Sequence, residues 1–273
     1  MKKSSKITAL PYIIWIVIFT IIPFILVIYY AFTNHKNGSF TLDNVVDSSY
    51  FLPVLIKSIC LAFMATIVCL IIAYPLAFIM SRKSAAVQRV FMLLITLPMW
   101  MNFLLRTYAW MTILEDNGII NNILAFFGLP QLQLINTSGA VVLGMVYNYL
   151  PFMIMPLFSI MTKIDNHVIE AAQDLGCSPM TVIKKVIFPL SFPGIATGIT
   201  MTFVPCVSTF IISRLLGGSD CYLIGDLIEE QFKLKGVGFH AGSATSLILM
   251  IVVLISMGIL NQFDSDEMED SIK

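Results

Sequence analysis

Six long apolar runs dominate this sequence and decide what it can fold into. They cover residues 10–32, 54–80, 90–114, 140–161, 192–213 and 244–260. A helix needs about 20 apolar residues to cross a hydrocarbon core about 30 Å thick, and all six runs come close to that length or exceed it. Because the runs are apolar on every face, they lack the alternation of a membrane β-barrel. The sequence therefore predicts an all-α, polytopic membrane protein with six transmembrane helices.

Composition supports a location in membrane lipid. Apolar residues make up 58% of the chain and charged residues only 12%, and the mean hydropathy is +0.89. This is more apolar surface than one soluble core of 273 residues can bury. The net charge is zero and the basic residues are scattered, which excludes a nucleic-acid partner. The first run is too long for a cleaved signal peptide, so we expect a retained helix.

Basic residues set the expected orientation, because loops rich in Lys and Arg stay in the cytoplasm. With the N-terminus inside, the cytoplasmic residues are Lys2, Lys3, Lys6, Arg82, Lys83, Arg89, Lys163, Lys184, Lys185 and Lys273. The smaller outer set is Lys36, Lys57, Arg106, Arg214, Lys233 and Lys235. We therefore predict a cytoplasmic N-terminus (1–9), a membrane domain (10–260) and a disordered, acidic cytoplasmic tail (261–273).

A loop between the fourth and fifth runs, residues 162–191, carries the most specific pattern. Good helix formers fill 167–175, Gly176 suits a left-handed position, and Ser178-Pro179 suits the start of a second helix. We expect Pro189 and Pro193 to end that second helix before the membrane. The sequence predicts a rigid helix–turn–helix that another protein can contact closely.

The loop resembles the pattern of ABC importer permeases, which is EAA, three residues, Gly, nine residues and Ile-x-Leu-Pro. Here Glu170, Ala171 and Ala172 give EAA, Gly176 follows at the same spacing, and Val-Ile-Phe precedes Pro189. The resemblance implies a MetI-like transmembrane domain whose loop is a coupling helix seated in a cleft of a cytoplasmic ATP-binding subunit. The chain has no Gly-x4-Gly-Lys-[Ser/Thr] phosphate loop, so we expect a partner subunit to hydrolyse ATP.

One branch of these permeases, that of the spermidine/putrescine importers, is similar over most of the chain. The similar segments are FTLDN (40–44), LPMWMNFLLRTYAW (97–110), YNYLPFMIMPLF (147–158) and LIGDLIEEQF (223–232). This resemblance implies half of a polyamine pathway in a bacterial inner membrane. It also implies a second permease subunit as a heterodimer partner, an ATP-binding subunit dimer and an extracytoplasmic solute-binding receptor.

Aromatic residues give candidates for a polyamine pathway, because a cation gains about 0.5–2 kcal/mol over an aromatic face. The candidates are Trp100, Asn102, Trp110, Tyr147 and Tyr149. Asn102 and Trp110 share a helix face by their spacing. The alternative for each aromatic residue is an interfacial belt or lipid-facing bulk.

Acidic residues near the outer ends of the predicted helices give a candidate outer mouth at Glu115 and Asp116. We expect Arg106 to snorkel to the membrane surface or to pair with one of these two acids. Further acids of the last outer loop are expected to be solvated charges that give the mouth a weak negative potential or contact a receptor. They are Asp220, Asp226, Glu229 and Glu230.

No group of residues predicts catalysis, a metal or a cofactor. The five cysteines lack metal or redox spacing, and His35, His167 and His240 are scattered over loops. The alternatives to a polyamine importer are the same machine carrying another small solute, such as ferric ion, phosphate or an organic acid, or an ATP-independent channel or carrier.

Overall fold

The computed structural model describes residues 10–35, 37–46, 51–234 and 236–270. The predictions for Lys2, Lys3, Lys6, Lys36, Lys235 and Lys273 fall outside the described residues. The described chain is mostly helical, with an isolated antiparallel bridge between Thr33 and Phe40. It divides into two compact units, one from Met1–Leu55 with Leu227–Leu254 and the other from Ile56–Asp226 with Ile255–Lys273.

The helices follow the apolar runs. In chain order they are α1 (Leu10–Ala31), α2 (Asp43–Val46), α3 (Phe51–Ser81), α4 (Ala85–Thr96), α5 (Phe103–Leu114), α6 (Ile119–Phe126), α7 (Ser138–Met161), α8 (Asn166–Asp174), α9 (Pro179–Ser208), α10 (Ile224–Lys233) and α11 (Val237–Asp270). Helices α1, α3, α7 and α9 are each long and apolar enough to cross a membrane, as is Gly238–Ile259 within α11. A bent pair of helices brings the count to the predicted six when it is taken as one span.

The third predicted span, 90–114, is not one straight helix. Ala85–Trp100 and Phe103–Phe126 meet at an angle of 89°. Helix α4 is followed by a 3-10 turn at Leu97–Trp100, which contains Pro98, and the chain becomes extended at Met101. The Asn102 side chain then accepts a hydrogen bond from the backbone N–H of Leu104 over 2.8 Å and begins α5. An N-cap side chain of this kind stabilises a new helix start rather than a continuing helix.

The fifth span corrects the expectation that Pro189 and Pro193 end the loop helix. Helix α9 runs from Pro179 through both prolines to Ser208. Just before Pro189, the segment Ile183–Ile187 is a π-helix, and the N–H of Phe188 bonds to the Ile183 carbonyl, five residues back. A π turn widens the helix where a proline ring would otherwise clash with the preceding turn. The second loop helix and the fifth span are therefore one continuous element.

The end of the chain also differs from expectation. Helix α11 continues past the predicted end of the sixth span and reaches Asp270. The backbone of residues 261–270 is therefore helical, where a disordered tail was expected. Residues such as Leu260, Gln262 and Met268 are good helix formers, so the helix can extend beyond its apolar part.

In the first unit, polar side chains contact the C-terminal end of α1. Nδ2 of Asn44 donates to the carbonyl oxygens of Ala31 over 3.2 Å and of Thr33 over 3.0 Å. Nδ1 of His240 lies 3.0 Å from the Tyr30 carbonyl oxygen, which can only accept a hydrogen bond. These bonds satisfy carbonyls at a helix end, which have no partner within the helix. Asn44, the last residue of the FTLDN segment, therefore holds this segment against the end of α1.

In the second unit, α3, α7 and α9 share one core. Its buried residues are Cys69, Ala73, Ala77, Met80, Met153, Ile154, Leu157, Met161 and Ile195. Small residues let the helix backbones approach closely, as is usual between membrane helices. Gly194 and Gly198, four apart on α9, face α7. A Cβ on Gly198 would lie 2.7 Å from Sδ and 3.2 Å from the carbonyl oxygen of Met153.

Gly198→Ala tests this contact. We expect the change to force α7 and α9 apart or to displace Met153, at a cost of about 1–3 kcal/mol in free energy of unfolding. The measurement is the thermal unfolding midpoint of the purified protein in detergent. The matched control is Gly258→Ala on α11, where a Cβ meets nothing within 4 Å. Equal midpoints for the two variants would contradict the close α7–α9 contact.

Candidate functional site

The loop between α7 and α9 has the predicted helix–turn–helix form. Asp165 is the N-cap of α8 and accepts a hydrogen bond from the N–H of His167 over 3.0 Å. Gly176 follows the helix with a φ of +81°, a left-handed conformation that suits glycine. Ser178 then begins α9 by accepting a hydrogen bond from the N–H of Thr181 over 3.3 Å. The predicted caps and turn are confirmed.

A small apolar cluster holds this loop against the end of α3. Its buried members are Ile164, Val182 and Ile187, and Phe78 of α3 packs against them. Ala172, the second alanine of the EAA pattern, also packs here. The small side chain of Ala172 therefore faces inward and lets α8 lie close to the start of α9.

Four other residues of the pattern are exposed. Ala171, Gly176 and Pro189 are exposed, and the Glu170 side chain is 65% exposed and lies 3.4 Å from Nδ1 of His167. Two apolar residues that the sequence pattern did not single out share this surface. Leu175 is 86% exposed and Met180 is 60% exposed. Exposed apolar residues at the tip of a rigid loop are typical of a protein contact. Only the three-dimensional position of the turn reveals them.

The pathway candidates do not form one site. The rings of Trp110 and Tyr147 meet edge to face with centroids 5.4 Å apart, which places α5 against α7. Trp100 is 82% exposed and lines an apolar cavity of about 640 Å3 with Phe152. Tyr149 lines a separate cavity of about 190 Å3, where α9 ends. Asn102 is exposed and serves as the N-cap of α5.

The acidic candidates Glu115 and Asp116 are exposed just beyond α5. The expected pairing of Arg106 with them is wrong. Arg106 is buried beside the Phe103 ring, and its Nε and Nη1 have no hydrogen-bond partner among the described residues. Nine residues separate Arg106 from Glu115, which is roughly 13 Å along a helix axis, so the two charges stand too far apart to pair.

Among the outer-loop acids, Asp226 is not a solvated charge. It is 4% exposed and lies in the first turn of α10. Its Oδ2 accepts a hydrogen bond from the N–H of Leu223 over 3.0 Å, and its Oδ1 lies 4.0 Å from Nε of Arg214. A carboxylate in the first turn accepts free helix N–H groups, which explains its burial. The side chain of Asp220 falls outside the described part of the structure.

Comparison with known proteins identifies the family. Residues 70–264 match the family described as the binding-protein-dependent transport system inner membrane component. The chain belongs to this family. This transport component is 35% identical to the spermidine/putrescine transport system permease protein PotB of Salmonella typhimurium, over 93% of this chain and 92% of the relative. It is 36% identical to the Escherichia coli protein of the same name, over 88% of this chain and 90% of the relative.

Solved structures show the same fold. A bacterial ABC transporter involved in the import of the acidic polysaccharide alginate has a chain that matches with a TM-score of 0.80 and 19% identity, over 96% of this chain and 94% of that chain. The same kind of transporter in complex with an alginate pentasaccharide-bound periplasmic protein matches with a TM-score of 0.78 and 17% identity, over 94% and 92%. The all-α, MetI-like membrane fold predicted for this transport component is confirmed.

Gly176→Ala tests whether the turn between α8 and α9 matters to this transport component. We expect a loss of transport, because a left-handed alanine costs roughly 1–2 kcal/mol and would re-aim α8. The measurement is uptake by the assembled transporter. The control is Gly128→Ala, since Gly128 also has a positive φ of +71° and open space around it. If both variants transport equally, the turn geometry has no special role.

Proposed function

We propose that this chain forms half of the translocation pathway in an ATP-driven importer of polyamines. The observation that carries the proposal is its similarity, over nearly the full length, to permeases named for spermidine and putrescine transport. The exposed helix–turn–helix between α7 and α9 supports the ATP-driven part, since a chain without its own phosphate loop needs a rigid contact with a partner.

The proposed partners occupy different faces. A cytoplasmic ATP-binding subunit docks on the loop through Glu170, Leu175 and Met180. A second permease subunit completes the pathway. An extracytoplasmic receptor delivers the substrate, which agrees with the periplasmic protein bound in the alginate transporter structure. In this arrangement the loop lies in the cytoplasm, and both termini lie on the same side.

We propose that the substrate passes close to the Trp110–Tyr147 pair. Edge-to-face rings present one π face to a passing ammonium group, which such a face attracts. Trp100 and Tyr149 offer further aromatic surface along their cavities, and Asn102 offers an amide at the bend between α4 and α5. Glu115 and Asp116, both exposed, attract cations at the outer mouth.

Arg106 sets the route. A buried positive charge repels a polyamine, so the cargo should keep away from the Arg106 guanidinium, which lies beside the Phe103 ring. We therefore propose a pathway along the exposed faces of α5 and α7, with the second permease subunit on its other side.

Uptake in liposomes tests the transport function. The complete transporter, with receptor and internal ATP, should accumulate labelled spermidine. A transporter whose ATP-binding subunit is catalytically inactive should accumulate none. Uptake that persists with the inactive subunit would establish a channel or carrier. Uptake of phosphate, ferric ion or an organic acid in place of spermidine would establish another cargo.

Leu175→Asp tests the docking surface. Leu175 is 86% exposed, so we expect no change in the thermal unfolding midpoint of the permease. We expect the affinity for the ATP-binding subunit to fall by about tenfold or more, because an apolar anchor at an interface centre is worth about 1.4 kcal/mol or more. The measurement is co-purification at graded subunit concentrations. The control is Phe126→Asp, since Phe126 is 85% exposed at the end of α6. Equal affinities would rule out docking at Leu175.

A further inference from the structure

Arg82 joins the end of α3 to both ends of the short connection between α7 and α8. Its Nη2 donates to the carbonyl oxygen of Met161 over 2.8 Å, and its Nη1 donates to that of Ile164 over 3.0 Å. Met161 is the last residue of α7, and Ile164 directly precedes Asp165, the N-cap of α8. One side chain therefore fixes where the coupling loop leaves the membrane domain.

Two further contacts strengthen this junction. Nη1 of Arg82 also donates to the side-chain oxygen of Asn166, the first residue of α8. The guanidinium lies over the Phe78 ring, 5.6 Å from its centroid, and Phe78 belongs to the apolar cluster that holds the loop. Burial lowers the pKa of the Arg82 guanidinium, although arginine keeps its proton in proteins.

The chemistry of the junction suits arginine in particular. Carbonyls at the C-terminal end of a helix have no partner within the helix and carry partial negative charge. The planar guanidinium presents several donors in a fixed fork, so it can bond two carbonyls and an amide oxygen at once. Lysine has a single ammonium on a flexible stem and cannot reproduce that arrangement.

Arg82 is itself held in a braced turn. Nε2 of Gln88, on α4, donates to the carbonyl oxygens of Ser81 over 3.0 Å and of Lys83 over 2.9 Å, on either side of Arg82. Hydrogen bonds therefore connect α4 and α3 through Arg82 to α7 and α8. A displacement of α8 reaches two membrane helices through short, directional contacts.

We propose that Arg82 is a positioning residue that makes α3 and α4 follow α8 when the ATP-binding subunit moves the coupling loop. The proposal rests on the proposed function, because it requires a partner that moves α8. The docking surface at Leu175 and Met180 consists of other residues. Loss of Arg82 should therefore separate ATPase binding from transport.

The test compares Arg82→Ala and Arg82→Lys in the complete transporter in liposomes, with receptor and spermidine. We expect Arg82→Ala to retain the ATP-binding subunit and its hydrolysis rate, while uptake per ATP hydrolysed falls by about tenfold, within the usual range of coupling between sites. Arg82→Lys should recover part of the uptake per ATP hydrolysed, because the lysine ammonium can reach one of the two carbonyl oxygens. The control is Arg89→Ala, since Nε of Arg89 donates to the Ala85 carbonyl of its own helix.

An unchanged uptake per ATP in Arg82→Ala would overturn the proposal. Loss of the ATP-binding subunit in parallel with uptake would also overturn it, because Arg82 would then only shape the docking loop. If the wild-type transporter hydrolyses ATP but takes up no spermidine, the polyamine assignment fails, and a measurement without substrate is needed to decide on Arg82.

Spin-label distances provide that measurement. Labels at Lys83 and Gln173, both exposed, report the separation of α3 from α8 in the purified complex. The accessible Cys60 and Cys177 are first replaced by serine. We expect one narrow distance in the wild type with and without ATP, and a broad distribution in Arg82→Ala. Equally narrow distributions would overturn the proposal.

Discussion

The close contact between α7 and α9 supports the rest of the described second unit. Gly194 and Gly198 bring the α9 backbone against Met153 and Ile160 of α7, with no room for another carbon atom. The loop between these two helices carries the EAA pattern, so their spacing fixes both ends of that loop. Lipid tails are as apolar as the helices, so the hydrophobic effect does not drive helices together inside a membrane. Close packing is therefore the main source of their association. The geometry of the α7–α9 loop therefore depends on the packing of these two helices.

Continuous helices and interrupted helices have different roles in this structure. Helix α9 passes from the loop into the membrane without a break, because the π turn at Ile183–Ile187 accommodates Pro189. The pair Ala85–Trp100 and Phe103–Phe126 bends by 89°, and α9 itself ends at Ser208 beside Tyr149. Continuous helices can carry a displacement over their whole length, whereas breaks leave backbone groups that line cavities. Of the aromatic candidates, Trp100 lies at the bend and Tyr149 lies beside the end of α9.

Much of this arrangement can be predicted from the sequence, for identifiable reasons. Span length follows from apolar length, and the loop turn follows from Gly176 and Ser178, whose conformations depend on neighbouring residues alone. The course of α9 is different, since proline predicts a helix end unless a wider turn precedes it, and no residue type marks a π turn. The bend before Asn102 likewise depends on tertiary structure, because the sequence alone does not decide where the helix ends.

Side-chain environment was the least predictable part of the site. Arg106 and Asp226 are both charged residues near predicted loops, where exposure is the usual outcome. Both are buried, because the tertiary fold brings α5 and the first turn of α10 into the second unit. Arg82 counted only toward orientation in the sequence, since its carbonyl partners lie about eighty residues away in the chain. Contacts at that separation leave no local pattern.

The exposed Leu175 has a consequence for the life of the protein before it begins to transport. An apolar side chain at the tip of a rigid loop is less favourable in water than when a protein surface covers it. With docking at Leu175 as proposed, a permease made in excess of the ATP-binding subunit would present that leucine to proteases and chaperones, which recognise exposed apolar residues. The cellular abundance of this subunit would then follow that of its partner. Degradation of unpaired copies, rather than the rate of synthesis, would set the ratio of the two subunits.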